Sequence, residues 1–172
     1  MVFSSNCIIG RDNGDELLEV IAGKMLQNKG MTVALAESCT GGLVMKRLSD
    51  IPGSSEYFLG GIVSYSNEIK INLLGVSRDI IEAFGAVSEQ TARSMASGIK
   101  RLTSSSIGVG ITGIAGPAGE TPQKPVGLVY IALAADSKVI CHKYNFTGDR
   151  KDVRSNAADA ALGMIRQYIF EL

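Results

Sequence analysis

Between Leu17 and Leu26 the apolar residues recur at spacings of three and four, so that Leu17, Leu18, Ile21, Met25 and Leu26 share one helical face. Asn13 followed by Glu16 reads as the start of that helix, and Gly30 reads as its end. Thr32–Ala36 is a short apolar run of the kind found in a strand buried on both faces. Leu59–Ser66 and Ser105–Ile111 are two more strand candidates, and Val2–Ile9 reads as a short opening strand. Val126–Ala134 and Lys138–Phe146 flank Asp136-Ser137, which predicts an antiparallel hairpin. Helices are expected over Gly41–Leu48, Asn67–Leu74, Ser88–Leu102 and Asp149–Phe170. In the last of these Val153, Ala157, Ala160, Ala161, Met164, Ile165, Tyr168 and Ile169 keep the three-and-four spacing. Helices alternating with buried strands imply an α/β protein, a three-layer α/β/α sandwich whose hairpin makes a mostly parallel sheet mixed.

At 172 residues the chain fits one domain with one core. Seventeen Lys and Arg cancel seventeen Asp and Glu, so no net positive field is available for a nucleic acid or an anionic membrane. Cys7, Cys39 and Cys141 show no paired spacing, which points to neither a disulfide framework nor a zinc site and fits a reducing, cytoplasmic setting. No apolar stretch reaches the ~18 residues of a membrane span, and Met1–Gly10 does not read as a signal peptide. His142 is the only histidine.

Ligands in open α/β sheets bind where strands end and helices begin. The segment Ala36-Glu37-Ser38-Cys39-Thr40-Gly41-Gly42 puts two hydroxyls and a thiol on one such turn; it reads either as a helix cap or as a site. At Ser64-Tyr65-Ser66-Asn67-Glu68-Ile69-Lys70 a strand passes into a helix with Asn67 as the expected N-cap. Lys70 then stands in the first turn, against the positive end of the helix dipole, unless it is an ordinary surface lysine. Thr112–Lys124, with glycines at 113, 116 and 119, reads as a ligand-facing loop or a plain surface one. Gly148-Asp149-Arg150 opens the last helix, with Arg154 one turn on; the pair is either a solvated helix start or an anion clamp.

A hydrolytic serine needs a proton acceptor, and His142 in mid-strand has no suitably placed acid, so a Ser/His/Asp triad is disfavoured. Lysine is the remaining base, and Ser/Lys pairs work when the amine is neutral. Cys39 is the rival nucleophile.

The motifs Ala36–Gly42, Tyr65-Ser66-Asn67 with Lys70, Gly85-Ala86-Val87-Ser88, Gly110–Pro117, Lys124-Pro125-Val126-Gly127 and Gly148-Asp149-Arg150 resemble, in order and spacing, the CinA C-terminal domain family, the nicotinamide mononucleotide deamidases. The resemblance runs from about Leu17 to the end. It implies hydrolysis of the nicotinamide mononucleotide carboxamide to the nicotinate nucleotide and ammonia, with no metal and no cofactor. Carried over, the nucleophile falls on Ser38, the family's tyrosine on Tyr65 and the general base on Lys70. Asn67, Thr112, Gly113 and Arg150 fall among the substrate-binding residues, with Arg154 competing for the phosphate. Backbone amides around Thr40, Gly41 and Gly42 are expected to form an oxyanion hole. Glu120 departs from the family's loop, which more often continues with glycine.

The resemblance also implies a homo-oligomer. It makes residues 1–14 an extension or joint to a preceding domain, with the amidase domain over 15–172. The competing expectation is a non-catalytic nucleotide-sensing module associated with competence or DNA damage.

Overall fold

The computed structural model describes residues 16–136 and 138–172. The chain runs α1 (Leu18–Lys29), β1 (Val33–Glu37), α2 (Leu43–Ser49), a 3-10 turn at Ser54–Glu56, β2 (Phe58–Val63), α3 (Asn67–Asn72), α4 (Arg78–Phe84), α5 (Glu89–Thr103), β3 (Ile107–Gly113), β4 (Leu128–Ala135), β5 (Lys138–Asn145) and α6 (Arg150–Phe170). The five strands form one sheet in the order β2-β1-β3-β4-β5. β1 is parallel to both β2 and β3, β4 is antiparallel to β3, and β5 is antiparallel to β4, so only β4 opposes the common direction. This is the mixed, mostly parallel sandwich that the pattern predicts.

The layers follow from which side chains each strand presents. Val33 and Leu35 of β1 and Ile107, Val109 and Ile111 of β3 pack with Leu18, Leu26, Ala157, Ala161 and Ile165 of α1 and α6. The other face of β1 offers only Ala34 and Ala36, which meet Met95 and Ile99 of α5. On β3 that face is Gly108 and Gly110, and a Cβ there would run into the backbone carbonyls of Ala96 and Ala92. Small residues thus let α5 lie directly on the sheet. Arg47 of α2 ties the opposite layer together, donating to Glu19 of α1 at 2.7 Å and to Asp159 of α6 at 2.6 Å.

Several boundaries differ from expectation. Leu17 is the N-cap of α1 and makes no side-chain cap, and it is exposed, with Leu18, Ala22 and Leu26 forming the buried stripe. Gly30 ends the helix in the left-handed conformation (φ 62°), as expected. β3 extends through Thr112 and Gly113, which pair with Tyr130 and Val129, so these two residues belong to a strand rather than to the loop that follows. Ser66, not Asn67, caps α3, accepting from the Ile69 N–H at 3.2 Å. α4 was not expected at all; it is capped by Ser77, which accepts from the Asp79 N–H. The expected Val2–Ile9 strand, the Asn13 cap, the whole 1–14 joint and the turn residue Ser137 lie outside the described residues.

Candidate active site

β1, β2 and β3 all deliver their C-terminal ends to one edge of the sheet, and β1, flanked by the other two, is where the chain order reverses. A crevice opens at such a point because the following segments leave to opposite faces. Ser38 is the first residue beyond β1, its N–H bonded to the Ile111 carbonyl of β3 at 2.9 Å. Ser64 and Tyr65 leave β2 beside it, the Ser64 N–H donating to the Glu37 carbonyl at 2.7 Å.

Lys70, on α3, turns back under this edge and is only 1% exposed. Its Nζ donates to the Ser64 carbonyl at 2.7 Å and lies 3.3 Å from Ser38 Oγ and 3.5 Å from the Tyr65 carbonyl. Among the described residues no carboxylate lies within ion-pair distance of it. A buried ammonium without a counter-ion is costly, and burial lowers the Lys70 pKa from the ordinary 10.5, with the nearby Cys39 pulling weakly the other way. Sequence allows two causes for a neutral Lys70, desolvation and a helix N-terminus; α3 has only six residues, and burial is the leading cause of the lowered pKa.

The turn after Ser38 is held from two sides. The fully buried Glu37 carboxylate accepts from the N–H groups of Gly42 at 2.9 Å and Met45 at 2.8 Å, fixing the start of α2. From the other side Arg154 of α6 donates to the Thr40 carbonyl through Nε at 3.1 Å and Nη2 at 2.8 Å. The Gly41 N–H closes the turn onto the Ser38 carbonyl at 3.1 Å. Of the amides expected to form an oxyanion hole, those of Gly41 and Gly42 are already bonded, to the Ser38 carbonyl and the Glu37 carboxylate.

That cleft, of about 240 Å³, is lined by Ser38, Cys39, Tyr65, Asn67, Lys70, Thr112, Gly113 and Arg150. It is walled by Ala86 and Val87 and by residues 114–116, 118 and 119 of the loop after β3. The structure therefore brings together Ser38, Tyr65, Lys70, Asn67, Thr112, Gly113 and Arg150. Asn67 is exposed at the first position of α3. Thr112 is buried and its hydroxyl donates to the Ala86 carbonyl at 2.7 Å, so it holds the cleft wall and can offer a ligand only a lone pair. Tyr65 is 66% exposed, and its hydroxyl accepts from Arg150 rather than meeting Lys70 or Ser38, at 3.3 Å. A larger depression of about 600 Å³ adjoins the cleft across Ala115, Gly116 and Arg150, but neither Ser38 nor Lys70 lines it.

The family model of the CinA C-terminal domain matches residues 15–169. The chain belongs to the CinA C-terminal domain family. A CinA-like protein from Kosmotoga olearia is 47% identical over 159 residues, covering 92% of this chain and 39% of its own length. A relative from Desulforudis audaxviator, named for competence and damage induction, is 50% identical over 155 residues, 90% of this chain and 38% of its own. The chain thus spans well under half the length of these curated relatives. Among solved structures, the competence/damage inducible protein CihA from Agrobacterium tumefaciens matches with a TM-score of 0.83 and 36% identity, over 92% of this chain and 97% of that one. A CinA superfamily protein from Klebsiella pneumoniae matches with a TM-score of 0.87 and 29% identity, over 90% and 97%.

Within this CinA domain Cys39 does not compete well for a nucleophile's role. It is 7% exposed, and burial, opposed only in part by nearby backbone N–H groups, pushes its thiol up to about 12. Glu120 is exposed and lines neither depression, although its neighbour Gly119 lines the cleft. Sequence reasoning gave no separate role to Glu37, Ala86 or Val87. Glu37 sits beside Ser38 in the motif, but nothing in the string shows that its carboxylate turns towards α2. Gly85-Ala86-Val87-Ser88 was a visible signal, and the structure gives it a reason: the Gly85 carbonyl takes both the Ser88 and Thr91 hydroxyls, at 3.0 and 2.8 Å, fixing one cleft wall. Among the described residues no group of three or more His, Cys, Asp or Glu is arranged to hold a metal ion.

Proposed function

We propose that this domain is an amidase that hydrolyses the carboxamide of nicotinamide mononucleotide through a Ser38 acyl-enzyme, with Lys70 as the general base. One observation carries the reading: a buried amine without a counter-ion, 3.3 Å from the hydroxyl of a serine that lines a cleft. In its neutral form Lys70 has two N–H groups, matched by the Ser64 and Tyr65 carbonyls, and one lone pair left for the Ser38 hydroxyl. Such a contact tightens when substrate is bound.

Ser38 Oγ attacks the carboxamide carbon while its proton passes to Lys70 Nζ. The C–N bond then breaks, the Lys70 ammonium protonates the departing amine, and ammonia leaves an ester on Ser38. Water attacks that ester, giving its proton to Lys70, and the proton returns to Ser38 Oγ as the nicotinate nucleotide departs. In the neutral, active form of the enzyme Lys70 takes up charge only in transit, and its desolvated setting favours that form.

Arg150 stands at the cleft mouth with two of its five N–H donors engaged, by the Gly116 carbonyl at 2.7 Å and by Tyr65. The remaining donors suit the substrate phosphate. The same reading carries a homo-oligomer, a domain ahead of residue 15 in longer relatives, and a reducing compartment in which Cys39 and Cys141 stay free. Ammonia release from nicotinamide mononucleotide is the deciding assay. Turnover abolished by both Ser38→Ala and Lys70→Met supports the amidase. Tight nucleotide binding without ammonia overturns it in favour of a sensing module.

A further inference from the structure

Arg150 and Arg154 stand one turn apart on α6, and both line the larger depression, which invites the view that both hold an anion. Their partners differ. Arg150 reaches the residue 114–119 loop and Tyr65 at the cleft mouth. Arg154 places two N–H groups on one oxygen, the Thr40 carbonyl, and lies outside the lining of the cleft that contains Ser38 and Lys70.

The turn it holds is shaped for it. Gly41 has φ 61°, and a Cβ at Gly41 would sit 3.3 Å from Arg154 Nη2, so the guanidinium occupies the space above a residue without a side chain. Thr40 is two residues from Ser38, and the Gly41 N–H returns to the Ser38 carbonyl. Movement of the Thr40 carbonyl therefore moves Ser38. On the far side the Glu37 carboxylate draws the Gly42 and Met45 amides towards α2. The turn is stretched between a carboxylate that collects its N–H groups and a guanidinium that collects its carbonyl.

We infer that Arg154 is a positioning residue for Ser38, acting through the Thr40 carbonyl, and not a ligand of the substrate phosphate. The kinetic part of this rests on the amidase reading; the structural part does not. Arg154→Gln removes the two-donor grip, and Arg154→Lys keeps one donor able to reach the same oxygen.

The test measures amidase kinetics on the nucleotide and the riboside, together with hydrogen–deuterium exchange over residues 38–46, for wild type and both variants. Misplacing a reacting group by about 1 Å can cost about 100-fold, so Arg154→Gln should lower kcat by that order on both substrates while leaving KM within about threefold. Arg154→Lys should recover part of the loss. Exchange at Gly41 and Gly42 should quicken about tenfold in Arg154→Gln and less in Arg154→Lys. Arg150→Ala, by contrast, should act on KM for the nucleotide. A rise in nucleotide KM with kcat retained in Arg154→Gln, or unchanged exchange at Gly41 and Gly42, overturns the inference. If the wild-type domain releases no ammonia the amidase reading fails, and the exchange measurement alone still decides whether Arg154 holds the turn.

Discussion

Arg150 donates to the hydroxyl of Tyr65 at 3.3 Å, across 85 residues of chain. The same tyrosine meets Lys70 only through its backbone carbonyl. On the amidase reading, its hydroxyl therefore sits with Arg150 at the cleft mouth and not with the Ser38–Lys70 pair. Tyr65→Phe keeps the carbonyl and loses the acceptor. At an exposed site this is worth about 1 kcal/mol, so KM for the nucleotide should change by about fivefold while the pH midpoint of kcat/KM stays in place. A shifted midpoint would return the hydroxyl to Lys70.

For Lys70 the rate and the stability should both depend on pH, with related signs. On the amidase reading activity requires the neutral amine, so kcat/KM should rise through a Lys70 pKa lowered by burial from 10.5 and then level off. Lys70→Arg, always protonated, should be inactive. The native lysine loses its proton before the unfolded one does, so between the two pKa values the unfolded state binds more protons and native stability rises with pH, by at most about 1.4 kcal/mol per pH unit. Lys70→Met lacks that slope. Chemical denaturation across alkaline pH should show the wild type gaining on the variant as pH rises towards 10.5; parallel curves would mean that Lys70 is not held at a lowered pKa.

Cys39 should be a bystander. With its thiol pushed up to about 12 and its side chain buried, it should resist iodoacetamide at neutral pH, as mass mapping of the alkylated peptides would reveal. Cys39→Ala should retain most of the turnover and lose about 1 kcal/mol of stability through the shortened side chain. A Cys39→Ala protein as inactive as Ser38→Ala would place the nucleophile on sulfur.

Gly110 bears on the site through the core. A methyl group there meets the Ala92 carbonyl and the α5 backbone, which cannot rotate away. Gly110→Ala should cost about 3 kcal/mol, at the upper end of overpacking, read as a lower urea midpoint with unchanged m-value. Gly30→Ala, by comparison, meets nothing within 4 Å and loses only the ease of a left-handed conformation, about 1 kcal/mol.

The features legible in the sequence share one property: they repeat along the chain. β1 is apolar on both faces up to its final residue, Glu37, and all five of its residues are buried. α6 runs for 21 residues within the span that its spacing predicts, and Asp149, where that span opens, proves to be its N-cap. α4, with seven residues and no fully buried side chain, has too few turns for a period to emerge. Adjacent Ser66 and Asn67 are both good caps, and only the backbone decides between them. Which amides near Ser38 are already bonded depends on where the Glu37 side chain points, a matter of tertiary packing. Motif order was enough to select Ser38 and Lys70, whereas the pairing of Tyr65 with Arg150 and of Arg154 with Thr40 spans 85 and 114 residues.

Those long spans also set an order of assembly. During synthesis Ser38 leaves the ribosome first and Lys70 follows it 32 residues later, while α6, whose first two turns carry both arginines, comes some 80 residues after Lys70. Until α6 docks, the Thr40 carbonyl lacks its guanidinium and the loop after β3 lacks its anchor at Gly116. The segments that carry Ser38 and Lys70 are therefore made before the helix that frames them, and the cleft gains its supports at Thr40 and Gly116 only once α6 has docked.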